Sequence, residues 1–260
     1  MTYRIFLILV RRILLIFITS FVSFTKAETL VIAADIWCPI NCAPDGERPG
    51  IFVELAREIF AEAGITVDYR VMNWARTLYG VRRGELNAII GAGIEDAPDF
   101  IFTTTPIAHS HICFYTLSDS TWQFSDIPSL TKVRVGVIND YSYDKELDTY
   151  IDQNRSNSKR IQIVSGEKAL ERNLDKLRRG RLDTVLENRW VIQTMLRQQG
   201  MQGKLREAGC SKSNIPIYLA FSPALPSSAH YVVLLEQGLQ RYRANGRLQE
   251  LLNSYGVRLP

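Results

Sequence analysis

Apolar positions along the chain switch repeatedly between two periods. Residues 29–35 form a short apolar run that reads as a strand, and residues 50–63 place apolar side chains at helical spacing before Gly64. Residues 66–72 then read as strand, 74–83 as helix and 86–90 as strand. A second cycle repeats the order: 133–138 strand, 143–151 helix, 161–164 strand, 167–179 helix, 182–186 strand. Strands separated by helices predict largely parallel sheets with right-handed crossovers. Residues 152–160 are polar and read as a loop, and residues 228–255 are helical with a break at Asn245-Gly246. Two segments stand outside the alternation. Residues 100–117 and 215–221 are extended, which predicts that the chain crosses from one lobe to a second and back, leaving the first lobe discontinuous.

The two cycles share a written unit. Arg82-Arg83-Gly84-Glu85-Leu86-Asn87-Ala88 reads against Arg178-Arg179-Gly180-Arg181-Leu182-Asp183-Thr184, 96 residues later. In each, a glycine closes a helix where a left-handed residue is needed, after arginines that complement the negative end of the helix dipole. The spacing, near one lobe's length, predicts two related halves.

Residues 1–27 carry Arg4, Arg11, Arg12 and Lys26 without an acidic residue, then an apolar run of about a dozen positions, too short to span a bilayer. This predicts a secretory signal peptide cut after Ala27, and a periplasmic product. The leader also changes the charge. The whole chain has 31 Lys+Arg against 27 Asp+Glu, but four of the basic residues lie in the leader, so the remainder is balanced. Nothing in that balance points to nucleic acid. Export permits disulfides. Cys38 and Cys42 flank a turn-rich Pro39-Ile40-Asn41 and predict a local bridge, whereas the pairing of Cys113 with Cys210 stays open.

Taken in order, Gly50-Ile51, Glu54-Leu55, Ala63-Gly64, Asn73-Trp74-Ala75-Arg76, Arg83-Gly84-Glu85-Leu86-Asn87-Ala88 and Phe102-Thr103-Thr104-Thr105-Pro106 carry a resemblance. Val135-Gly136-Val137, Tyr141-Ser142-Tyr143, Gly180-Arg181-Leu182-Asp183, Ile217-Tyr218-Leu219-Ala220-Phe221-Ser222 and Gly246-Arg247-Leu248 continue it. The chain resembles the type II periplasmic solute-binding proteins of the polar amino-acid ABC importer family over residues 29–257. The resemblance implies an α/β, two-lobed periplasmic-binding-protein-like fold with two crossing hinge strands. It divides the chain into a signal peptide (1–27), the first part of lobe 1 (28–117), lobe 2 (118–214), and a return strand with C-terminal helices completing lobe 1 (215–260). It also implies a monomer that binds a small polar solute and hands it to an inner-membrane ABC permease.

The ligand residues implied by that placement are Asp35 and Trp37 after the first strand, Trp74 and Arg76 at a helix start, and Gly91 after the third strand. Tyr141 and Ser142 follow the first strand of lobe 2, and Asn188 follows its last. Each has a plain structural alternative; Ser142, for instance, suits a helix cap. Two departures bear on the ligand. The loop Gly91-Ala92-Gly93-Ile94-Glu95-Asp96-Ala97-Pro98 lacks the Arg with which amino-acid binders of this family grip a carboxylate, and Asn188 stands where they place an Asp. The expected ligand is therefore a small polar solute, with amino acids only one candidate class.

His109, His111 and Cys113 share one face of an extended segment, which suits zinc or copper as well as a half-buried strand. No second ligand cluster accompanies them, so no metal or cofactor is expected. Adjacent Glu95 and Asp96 read as solvated loop charges rather than an acid–base pair. Two other roles remain: a ligand-sensing module reporting to a membrane receptor, and a periplasmic dehydratase-type enzyme.

Overall fold

Strand β1 (Thr29–Ala34) is the first of three parallel strands, running beside β2 (Thr66–Val71) on one flank and β3 (Ala88–Ala92) on the other. This computed structural model describes residues 28–166 and 168–257; the expected leader lies outside them. Helix α1 (Ile51–Ala61) connects β1 to β2, and α2 (Trp74–Arg82) connects β2 to β3. Ile51, Phe52, Val53, Leu55, Ala56, Ile59 and Phe60 of α1 are all buried. Each large apolar side chain removed from water in this way contributes roughly 1.5–3 kcal/mol.

The same construction recurs after a 3-10 turn at Ile127–Lys132. Strand β5 (Val135–Ile138) lies parallel to both β6 (Ile161–Val164) and β7 (Thr184–Asn188), with α3 (Lys145–Asn154) and α4 (Ala169–Arg178) as connections. Helix α5 (Arg189–Gln198) follows β7. Between the two parallel groups run β4 (Ala108–Leu117) and β8 (Leu205–Phe221), antiparallel to each other. The full sheet order is β2-β1-β3-β8-β4-β7-β5-β6. The last residues of β8 pair with β3, the rest with β4, and β4 pairs in turn with β7. Strand β8 thus belongs to both halves of the sheet.

The chain ends in α6 (Ser228–Ala244) and α7 (Arg247–Ser254), which return to α1. Phe60 meets Tyr231 edge to face at 5.9 Å, Arg247 pairs with Glu58, and Arg241 pairs with Glu62.

The repeat seen in the sequence is also a structural one. Gly84 and Gly180 close α2 and α4 with φ of 74° and 65°, a region open to glycine at little cost. The strands that follow, β3 and β7, are again 96 residues apart. Asn87 and Asp183 occupy equivalent positions just before them. The backbone N–H of Asn87 donates to the Val31 carbonyl at 3.0 Å, and its side-chain Oδ1 accepts from the Val31 N–H at 2.8 Å. Asp183 does the same with Arg134, at 3.0 and 2.7 Å. Each half uses this two-way clasp to fix the register of its first strand against its third.

The structure departs from the sequence reading beyond shifts of two residues at the starts of β3, β5 and β7. Strand β8 begins at Leu205, ten residues before the expected start at Ile215. Helix α5 occupies residues for which the sequence pattern predicts no element. The helix expected from Tyr143 begins at Lys145, because Asp144 caps it by accepting from the Leu147 N–H at 2.9 Å. Ser142 therefore does not cap that helix; its hydroxyl donates to Asp148 Oδ2 at 2.6 Å.

Candidate functional site

The carboxyl ends of β1, β3, β5 and β7 open toward one cleft between the halves, the usual ligand position in open α/β sheets. Asp35 and Trp37 follow β1. The Trp37 carbonyl accepts from Ile40 N–H at 2.9 Å and Asn41 N–H at 3.2 Å, and a Cys38–Cys42 disulfide clips the same turn. Asn41 is fully buried inside it, donating to the Asp35 carbonyl and to Tyr69 Oη, while its own Oδ1 has no partner. Gly91, at the end of β3, has φ of 83°. A Cβ there would stand 3.2 Å from the Trp37 ring, so the indole packs directly on bare backbone.

Three side-chain hydrogen bonds to oxygen acceptors join the halves across this cleft, beside a longer one from Gln198 Nε2 to Cys38 Sγ at 3.9 Å. Tyr141 Oη donates to Asp35 Oδ2 at 2.5 Å. Trp37 Nε1 donates to Glu187 Oε1 at 2.9 Å, and Trp74 Nε1 donates to the Asp140 carbonyl at 3.0 Å. The Trp74 and Tyr141 rings also meet edge to face at 5.9 Å. Asp96 accepts from the Gly93 N–H at 2.7 Å within its own loop and lines the small cavity opposite Tyr141 and Ser142. The cleft is therefore closed, largely by its own aromatic side chains.

What remains open is unequal. Asp35, Trp37, Asn41, Trp74, Ile90, Gly91, Asp96, Tyr141 and Ser142 enclose about 40 Å³, room for water only. Asp35, Trp37 and Tyr141 also line a second cavity of about 300 Å³, which continues past Glu187, Met72, Ile138, Leu170, Val191 and Met195 to an exposed rim at Lys168 and Glu171. That is the lower end of the volumes of small-molecule sites.

The buried ionisable groups of the site are all acids. Burial pushes the Asp35 carboxyl up to about 6, partly offset by the Tyr141 hydroxyl. Burial likewise raises Asp96 to about 7 and Glu187 to about 7. The small cavity has no Lys or Arg among its lining residues. Glu187 is 1 % exposed; its Oε1 takes two donors, Trp37 Nε1 and its neighbour's N–H, while Oε2 takes none among the described residues. A buried acceptor without a donor is costly, and each such atom in a folded protein calls for a partner.

Residues 30–258 match the profile of the bacterial extracellular solute-binding proteins, family 3. The chain belongs to that family. Solved structures agree on the fold. One from work on glutathione import through GshT and the cystine ABC importer TcyBC of Streptococcus mutans has a TM-score of 0.75 at 18% identity, covering 90% of this chain and 97% of its own. A histidine kinase sensor domain similar to periplasmic binding proteins has a TM-score of 0.74 at 19% identity, covering 89% and 98%. An ABC uptake transporter substrate-binding protein from Streptococcus pneumoniae with bound histidine has a TM-score of 0.71 at 16% identity, covering 87% and 92%. No curated protein sequence matches the chain.

In this family 3 protein, six of the eight residues singled out from sequence gather around the small cavity: Asp35, Trp37, Trp74, Gly91, Tyr141 and Ser142. Two stand apart. Arg76 is exposed, outside the residues lining either cavity, and its backbone N–H donates to the Asn73 cap. Asn188 is 1 % exposed and wholly committed to structure. Its Oδ1 accepts from the Trp190 and Val191 N–H groups at the start of α5, and its Nδ2 donates to Ser110 Oγ at 2.7 Å. The cleft carboxylate on this strand is its neighbour Glu187. Asn41 is a further site residue without a signal in the sequence, and Asp96, expected as a solvated loop charge, is another. Glu95 is exposed, as a solvated charge should be, but Asp96 turns inward.

The His109–His111–Cys113 trio does not stand as a set of ligands, because the Cys113 sulfur is bonded to Cys210 across β4 and β8. Among the described residues no helix is long and apolar enough to cross a membrane.

Proposed function

We propose that this solute-binding protein works in the periplasm after removal of its leader, capturing a small polar ligand between its halves and presenting it to an inner-membrane ABC permease as a monomer, without turnover. The observation that supports this best is the set of three hydrogen bonds between the halves at Asp35, Glu187 and Asp140, which surround the cavities at the strand ends. These bonds give the closed arrangement something to exchange. A ligand that offers its own donors to the same acceptors, and more, shifts the population toward closure through contacts on both halves at once. Deleting the gene and following uptake of the solute that stabilises the purified protein tests the role. Lost uptake supports delivery to a permease.

The likeness to a histidine kinase sensor domain favours a second reading, in which the closed form reports to a membrane receptor. Intact uptake together with a lost transcriptional response to the ligand would select that reading.

A further inference from the structure

We infer that the cleft takes an aliphatic amine or guanidine carrying no carboxylate, its cationic head seated between Asp35 and Glu187 and its chain in the 300 Å³ cavity beside them. This rests on the solute-capture reading above and names the chemical class of the captured solute.

The head position follows from which acceptors remain. Glu187 Oε2 is buried without a donor, and its side chain lines the larger cavity. Asp35 lines both cavities and has a single side-chain donor, Tyr141. Asn41 Oδ1, buried at the small cavity, is a second acceptor without a donor among the described residues. An ammonium or guanidinium is donor-only and supplies three or more N–H groups, which is the complement this set lacks. Indole and phenol faces at Trp37 and Tyr141 suit a cation as well. Beyond the head, Met72, Ile138, Leu170, Val191 and Met195 offer apolar wall to a methylene chain.

A carboxylate finds no comparable seat. The helix starts around the cleft are occupied: Asn73, Asp144 and Asn188 cap α2, α3 and α5, and at α1 the Ile51 and Phe52 N–H groups donate to the Pro39 and Ile40 carbonyls. The start of α4 has no side-chain cap, yet its first turn carries its own acid, Glu171, on the rim of the larger cavity. Arg189, the guanidinium nearest in sequence to Glu187, is held by Glu207 at 2.8 Å. Burying a carboxylate against Asp35, Asp96 and Glu187 would set it among acids, since the lysine lining the larger cavity, Lys168, stands at its exposed rim.

Matched pairs that differ only by the carboxylate test this: cadaverine against lysine and agmatine against arginine, titrated calorimetrically into the exported protein, with sugars and organic acids alongside. The expected result is that the amine of at least one pair binds about tenfold tighter or more than its amino acid, and that Glu187→Gln removes most of that advantage while Arg76→Ala keeps it. Equal or tighter binding of the amino acids, or binding only of an acid or sugar, overturns the amine assignment and leaves solute capture standing. Failure of every solute class to bind overturns both.

Discussion

The Tyr141 hydroxyl, from the second half of the sheet, donates to Asp35 Oδ2 at the end of β1 across 2.5 Å. The two residues are 106 positions apart in the chain, and their contact exists only when the halves are together. Tyr141→Phe keeps the ring against Trp74 and removes the donor. The variant is expected to lose about 1–3 kcal/mol of stability, since a buried bond to a carboxyl is lost and its acceptor is left alone. Small-angle scattering should show a larger radius of gyration for the ligand-free variant than for the parent protein. An unchanged radius would mean that this bond does not hold the halves closed.

The cleft carboxyls give a pH dependence of definite sign. Asp35, Asp96 and Glu187 all titrate higher folded than unfolded, because burial disfavours their charged forms. Glu187 faces Asp35 from the other half, with Tyr141 and Tyr143 beside them, both phenols raised far above their ordinary range. The folded state then binds more protons than the unfolded state between about pH 4 and 7, so stability is greatest at the acid end of that window and falls as pH rises through 6 to 7. The expected loss for each group is on the order of 1 kcal/mol or more. Denaturant midpoints of the ligand-free protein at pH 5 and pH 8 measure it, and Glu187→Gln should flatten the curve.

Much of the fold is readable in the sequence, because the units that build it are local. The glycines at 84 and 180, the helical spacing ahead of them and the apolar strands behind them sit within about 20 residues of one another, and the structure has all of them in the expected order, with both strands starting two residues later than expected. Strand β8 is different. Its first stretch, Leu205-Arg206-Glu207-Ala208-Gly209-Cys210-Ser211-Lys212, has no clean alternation, and it becomes strand only by pairing with β4. Helix α5 escaped for a related reason: Asn188 is at once the last residue of β7 and the cap of α5, so no loop separates them.

The site divides along the same line. Aromatic residues at strand ends are conspicuous in the sequence. Whether Glu187 or Asn188 enters the cleft depends on one step of strand alternation and on the α5 cap, which only the assembled sheet fixes.

Asn188→Ala accordingly acts on stability. It removes the acceptor for two N–H groups of α5 and the donor to Ser110, and is expected to cost about 1–2 kcal/mol in denaturant unfolding. Arg76→Ala, at an exposed position, should fall within about 0.5 kcal/mol of the parent.

The paired clasp predicts matched effects at distant positions. Asn87→Ala and Asp183→Ala each remove the acceptor for a backbone N–H of the neighbouring first strand, and each is expected to cost about 1 kcal/mol or more. Asp183 also holds the Arg134 guanidinium, which keeps its carboxyl below the usual range, so its share of stability is lost only as pH falls through that lowered value. The Asn87 share should not vary with pH. Unfolding of both variants at pH 7 and pH 3 separates the two.

Capture of a small solute between the halves is tested most directly by a thermal-shift screen of the exported protein against amines, amino acids, organic acids and sugars. The account predicts that one class raises the melting temperature in proportion to the logarithm of its concentration, and that this gain shrinks in Trp37→Ala and in Glu187→Gln, which sit on opposite sides of the cleft. A stabilising ligand whose effect is untouched by either substitution would contradict it.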